Sequence, residues 1–222
     1  MDQNKPNIAA SLMTIHYVIT RALSVSIANA TRFIDDWNTN TTLLEGYKNY
    51  LLALVSVLNG HHLTEDELAF PFFKDKIPAM PYDRLTLEHE EITKITEEIR
   101  TIAESFSEHD QAIEKFRQLT ELLKKLIDIW HPHIKTEEEY MSAEKLDKLL
   151  SVEQHLELIK SFGEHSMKNT GPDWLVIPFI LFNLPPEIRV NMERALPAEV
   201  TGHLVPVVWK DKWISMSPFL LT

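Results

Sequence analysis

The chain has 222 residues, of which 44% are hydrophobic, with 33 acidic against 22 basic side chains and no cysteine. This composition supplies a core and excludes wholesale disorder, disulfides, iron–sulfur clusters and thiol nucleophiles, while the net charge of −11 argues against nucleic acid or anionic lipid as a partner. The N-terminus lacks the basic and apolar stretches of a secretory signal, and the longest apolar run, 174–184, is too short for a bilayer and contains Pro178, so a soluble cytoplasmic protein with no membrane and no nucleic-acid partner is expected.

In chain order, hydrophobic periodicity predicts helices over 8–34 and 41–73, then a break at 76–81 carrying Pro78 and Pro81. A third helix over 83–106 takes Asp83 as N-cap. A fourth is opened by the capping-box spacing of Ser107 and Asp110 and reaches about Tyr140. Ser151 and Gln154 repeat that device for a shorter fifth helix ending near Gly163. Beyond it come the apolar run, a short helix restarted by Pro185 and Pro186, and an aromatic tail punctuated by proline. The expected fold is all-α. Residues 1–150 form an antiparallel four-helix bundle, and residues 151–222 form a C-terminal helical and irregular extension packed on it.

Each long helix has a core stripe in alternating steps of three and four, and polar residues interrupt all of them. The second helix reads Tyr47, Leu51, Leu54, Leu58, His61, Glu65, Leu68, Phe72, and the fourth reads Leu123, Leu126, Trp130, His133, Glu137, Tyr140. The third carries His89 above Ile92, Ile95 and Ile99. The first carries His16 above Ile19 and Leu23, continuing to Ile27, Ala30 and Ile34. A buried unpaired carboxylate costs several kcal/mol and an unsatisfied imidazole about 1–3 kcal/mol, so six such groups demand a partner. A metal neutralises the acids and takes the imidazole lone pairs. His61 and Glu65, like His133 and Glu137, are one turn apart on one face. In an antiparallel bundle, early positions of the first and third helices lie level with late positions of the second and fourth. Four histidines and two glutamates exceed one ordinary site but suit two ions sharing carboxylates. Nitrogen and carboxylate donors without sulfur suit iron or manganese, with zinc as a further candidate.

The text from Ile15-His16 with Arg21, through HHLTEDELAFPFF at 61–73 and LTLEHEEI at 85–92, to WHPHIKTEEE at 130–139 resembles the hemerythrin-like (HHE cation-binding) domain family, and IHYVITRAL is similar to a fungal branch of it. The resemblance implies a non-haem centre of two iron ions ligated by His16, His61, Glu65, His89, His133 and Glu137, with the glutamates bridging. One position departs. Oxygen-carrying hemerythrins take a second histidine one turn after the first on the third helix, and here that residue is Thr93. Loss of that ligand is expected to leave an open coordination position. His62, rotated about 100° from the ligand face, is expected to be solvated or to stand behind the ligands, and Tyr140 is a candidate redox-active neighbour. His131 and Tyr17 are expected away from the ligands. Gly60 is expected to admit a close approach of backbone or substrate.

Two functional readings follow. The first is activation of dioxygen or peroxide, as an oxygenase or oxidase of a small organic substrate, with Trp174, Phe179, Phe182, Trp209, Trp213 and Phe219 walling a pocket over the metals. The second is a non-catalytic module that binds or senses oxygen, nitric oxide or iron. An enzyme calls for a cavity of several hundred Å³ beside the ions; a module does not. A third reading, a structural bundle braced by zinc, predicts protein without iron.

Overall fold

The computed structural model describes residues 6–35, 41–106 and 112–221. Helix α1 spans Ile8–Asp35 and α2 spans Thr41–Thr64; a π turn over Glu65–Ala69 leads into the short α3, Phe70–Phe73. Then come α4 (Tyr82–Glu104), α5 (Ala112–Tyr140), α6 (Ala143–Leu149), α7 (Val152–Asn169), α8 (Asp173–Asn183) and α9 (Pro186–Ala195). A π segment over Val200–Val208, α10 (Lys210–Trp213) and a 3-10 turn over Ile214–Phe219 complete the chain, and no strand occurs among the described residues.

The core bundle is a closed ring in which α1 packs on α5, α5 on α4, α4 on α2 and α2 on α1. The α1 stripe runs His16, Ile19, Leu23, Ser26, Ala30, Phe33, all buried, so it keeps its three–four rhythm where the sequence reading had turned to Ile27. The second helix is not continuous. Pro71 has no N–H for the carbonyl four residues back, and its ring crowds that carbonyl; the π turn just before it absorbs the mismatch. Helix α4 starts at Tyr82 after Pro81, with Asp83 in its first turn and not at its cap. Ser151 and Gln154 do form the capping box of α7, but that helix runs through Gly163 to Asn169. A mid-helix glycine costs about 1 kcal/mol, which weakens a helix without ending it. The Ser107 and Asp110 cap lies outside the described residues.

The segments after α6 lie along α1 and α2, with α7, α8 and the terminal 3-10 turn against α2. Helix α2 is therefore covered on two sides, with thirteen of its 24 residues buried. Tyr47, Leu51, Leu54 and Leu58 face the bundle, and Gly46 and Gly60 mark where the later segments press closest: a Cβ on Gly46 would sit 1.9 Å from the Ser215 carbonyl oxygen, and one on Gly60 2.0 Å from Thr170 Oγ1. Half-buried Arg21 joins this seam, donating to Asn183 Oδ1 and, at 3.2 Å, to the Phe219 carbonyl. Tyr50 also donates to Asn183 Oδ1, at 2.7 Å. By length and composition α1 is long and apolar enough to cross a membrane, with an 18-residue window of mean hydropathy 1.4. In the fold its apolar face is core of the bundle.

Two apolar clusters result. The larger runs from Val18 and Phe33 through Leu54 and Phe116 to Trp130 and takes in Phe179, Trp213 and Phe219. The smaller gathers Ile8, Leu12, Phe70, Phe73, Leu85, Met141, Leu158 and Phe162. Between them lies a buried polar layer.

Candidate metal centre

That layer is built by register. His16 enters from the third turn of α1, His61 and His62 from the last turn of α2, His89 from the second turn of α4 and His133 from the late part of α5. Glu65 follows on the π turn, and Glu137 one turn after His133. None of these seven side chains is more than 7% exposed. Two sets of four can each bring one donor atom within 4.8 Å of the others: His16, His61, Glu65 and Glu137, and His62, Glu65, His89 and His133. Each carboxylate faces both sets. Glu65 Oε1 is 3.4 Å from His61 Nε2 and its Oε2 3.6 Å from His89 Nε2. Glu137 Oε2 is 3.4 Å from His16 Nε2, while its Oε1 is 3.3 Å from His133 Nε2 and 3.9 Å from His89 Nε2.

The far sides of three rings are held by acids. Glu138 Oε1 is 3.0 Å from His16 Nδ1 and Glu88 Oε2 is 2.9 Å from His133 Nδ1. Asp66 Oδ1 lies 3.0 Å from His89 Nδ1 but off the N–H axis, so it attracts by charge without an aligned hydrogen bond. Hydrogen-bonded carboxylates in the places of Glu138 and Glu88 fix the tautomer that turns Nε2 of His16 and His133 inward. Apolar walls close the layer. Trp130 sits 5.6 Å from His16 and 5.9 Å from His62 between ring centres, its Nε1 donating to Thr20 Oγ1 at 2.8 Å. On the other side Phe70 stacks on His89 at 5.4 Å.

Burial, then the neighbouring Glu137 and Asp66 charges, pushes the Glu65 carboxyl well above the usual carboxylate range. Burial also raises Glu137, but the adjacent His133, His16 and His89 outweigh it and hold that carboxyl below its ordinary value. For His61 and His62, burial and the other imidazoles keep the rings neutral. Burial lowers His133 too, yet Glu137 and Glu88 win and its pKa rises. The His133–Glu137 approach is off the hydrogen-bond axis, so that effect is coulombic.

The structure thus brings together His16, His61, Glu65, His89, His133 and Glu137 as the stripes imply, and adds His62. The expectation of a solvated His62 is corrected: it is 2% exposed and its ring stacks on His89 with centres 4.0 Å apart. The assumption behind the error was that α2 had one buried face. Tyr50 to Leu58 contains only one polar residue, Ser56, and that all-round apolar surface was the available signal. Thr93, the position of the missing ligand, is exposed while Ile92 and Thr96 are buried, so it does not face the layer. Tyr140 is half-buried against the smaller cluster with Lys145 Nζ 5.5 Å from its ring centre, and no described contact ties it to the donors. His131 and Tyr17 are exposed. The close approach at Gly60 is made by Thr170. Of the histidines given no part in the sequence reading, His155 accepts from the Ile8 amide at 3.2 Å and caps α1. His165 bridges Thr64 and Glu67, at 3.0 and 2.8 Å, and so ties α7 to the donor-bearing turn. The pocket expected over the metals is also corrected. Phe179 and Phe219 pack on Tyr50, more than two turns from His61, and Phe182 stacks on Trp213. A cavity of about 530 Å³ next to Trp174 is lined by Thr41, Glu45, Asn49 and Ser215, at the other end of α2.

A metal fits what the layer lacks. His16 Nε2, His61 Nε2, both nitrogens of His62 and all four carboxylate oxygens of Glu65 and Glu137 are buried without a hydrogen-bond partner. At about 1–3 kcal/mol per orphaned group, these five side chains would forfeit much of an ordinary domain's stability of about 5–15 kcal/mol. A family model described as the hemerythrin HHE cation binding domain matches residues 7–144, and the chain belongs to that family. Neither the curated proteins nor the solved structures compared with it give a match.

Proposed function

We propose, with that family membership as the premise, that the chain holds two iron ions and that the centre binds dioxygen or a molecule of similar size. His16, His61, His89 and His133 are the nitrogen ligands in this reading, and Glu65 and Glu137 bridge. The observation that carries it is the straddling of both carboxylates, each with one oxygen toward either set of imidazoles. Nitrogen and carboxylate donors suit iron, which supplies reversible one-electron chemistry and affinity for dioxygen. The chain's own residues provide orientation through Glu138, Glu88 and Asp66, and exclude bulk water through Trp130 and Phe70.

Between the two functional readings, burial favours the binding module. Donors that are all at most 7% exposed, between two apolar clusters, admit a diatomic far more readily than an organic substrate. The aromatic tail that an oxygenase or oxidase would need over the ions is spent on the Tyr50 face. The test is elemental analysis after anaerobic loading, followed by optical spectra of the reduced protein exposed to dioxygen. Two irons per chain and an oxygen-dependent band that reverses on degassing are expected. Rapid irreversible decay coupled to consumption of an added organic compound would favour the oxidase, and manganese or zinc in place of iron would overturn the metal assignment.

Loading must also release protons, because metal takes its ligands deprotonated. In the metal-free chain the raised values let Glu65 and His133 hold their protons to higher pH than an ordinary carboxyl or imidazole. Apparent affinity is therefore expected to climb with pH until it passes the His133 value, which lies above the ordinary 6.5. Metal titrations in buffers of different ionisation enthalpy check the release; an affinity independent of pH would contradict it.

A further inference from the structure

We infer that His62 is itself a metal ligand, completing the second half of the centre with His89, His133 and Glu65, so that consecutive histidines on one helix do what oxygen-carrying hemerythrins divide between two. The inference rests on the two-ion reading above and goes beyond its six ligands.

Helix geometry makes the arrangement natural. Successive residues are about 100° apart, so His61 and His62 diverge toward different targets, while Glu65 falls about 40° past the first and about 60° short of the second. One carboxylate can therefore serve both. His62 offers a ring nitrogen to the same small volume as Glu65, His89 and His133. Its ring centre is 5.3 Å from that of His133 and 4.0 Å from that of His89, and sharing an ion with His89 requires the His62 ring to turn out of its parallel stack so that both in-plane lone pairs converge. Thr96 donates to Asn59 Oδ1 at 2.9 Å, which fixes α2 against α4 one turn below it.

A packing role fits poorly. Both nitrogens of His62 are buried with no partner, and it is flanked by Trp130 and His89. A leucine or phenylalanine would fill that space without stranding polar atoms. Nor does the neighbouring helix offer the alternative ligand, because Thr93 is turned to solvent. With His62 the donors become five imidazole nitrogens and four carboxylate oxygens. That is fewer than the roughly twelve positions of two octahedral ions, so room for a small exogenous molecule remains without the extra open position that Thr93 suggested.

The experiment compares the full-length wild type with His62→Ala and His62→Phe, the latter retaining a ring against His89 and Trp130. Each is loaded anaerobically with ferrous iron alone and assayed for iron per chain and binding isotherm, with circular dichroism to confirm helicity. Two irons in the wild type and one in both variants, the second site weakened more than about 100-fold, support the inference, since loss of a residue that merely orients a ligand costs about 10–100-fold. Two irons in the wild type and two in His62→Phe with less than about a 100-fold change overturn it and leave the pair standing. Fewer than two in the wild type overturns the pair, and this assignment with it.

Discussion

Replacing Glu65 with leucine is expected to abolish binding of both ions and, at the same time, to raise the melting temperature of the metal-free chain. The two effects have one cause. Glu65 is the residue common to both donor sets, so its loss removes a ligand from each ion. Without metal its two oxygens are fully buried and have no hydrogen-bond partner. A buried polar group left without a partner costs about 1–3 kcal/mol, which an apolar replacement of similar shape removes, and each kcal/mol moves the midpoint of a chain this size by roughly 2–4 °C. The pH dependence follows from linkage. The folded-state pKa of Glu65 is raised, so what it contributes is intact below the ordinary value of 4.5 and is lost as pH rises through the folded value. The advantage of Glu65→Leu over wild type should therefore widen with rising pH. Glu137→Leu makes the contrast. Its carboxyl is held low by His133, His16 and His89, contributing stability above the ordinary carboxylate range that is lost as pH falls. Its removal takes a counter-charge from His133 and should destabilise the metal-free chain at neutral pH. Thermal melts of both variants with chelator, beside iron content without it, check the pair. Retention of an ion by Glu65→Leu, or a lower metal-free midpoint, would sink the shared-ligand assignment.

Why six of the seven buried side chains of the polar layer were legible, and the seventh was not, is a matter of what covers each helix. In α4 and α5 one apolar stripe faces the bundle and the remainder is charged, so Ile92, Ile95 and Ile99 point to His89, and Leu126 and Trp130 point to His133 and Glu137. In α2 the stripe through Leu54, Leu58, His61 and Glu65 was equally visible. The second buried face, through Gly46, Ala53, Val57, Gly60 and Thr64, exists only because the later segments press on it. His62 lies on the other flank of the stripe, about 160° around the axis from Gly60, against His89 and His133, so a single narrow stripe on α2 leaves it to solvent or behind the ligands. The π turn was hidden for a related reason: Pro71 declares that the α ladder must fail, but not whether the chain kinks, stops or widens a turn. The aromatic tail does bury its rings, on α2 and on itself. Its target, the Tyr47 and Tyr50 face and not the metals, is set by long-range contacts such as Tyr50 with Asn183 that no local pattern encodes.

Gly60→Ala is the variant in which that second face and the metal layer meet, and helix propensity predicts its sign wrongly. Alanine is favoured over glycine by about 1 kcal/mol inside a helix, yet the new methyl would stand 2.0 Å from Thr170 Oγ1 and 3.1 Å from its Cβ. Overpacking of this kind costs about 1–3 kcal/mol, and the strain falls on the residue immediately before His61 and His62. Lower stability and weaker iron binding should appear together. Thr170→Ala removes the atom at 2.0 Å and leaves a tight but workable contact at 3.1 Å, so the double variant should regain most of both losses. A double-mutant cycle on melting temperature and iron affinity reads the coupling. Gly46→Ala separates the two quantities. Its methyl would meet the Ser215 backbone carbonyl at 1.9 Å, which no side-chain change can relieve. It lies fourteen residues before Gly60, about 21 Å along the helix, so it should cost at least as much stability while iron affinity in the folded protein stays unchanged. If Gly60→Ala and Thr170→Ala combined additively, or Gly46→Ala weakened iron binding as much as Gly60→Ala, the segments after α6 would not be setting the position of the donor-bearing turn.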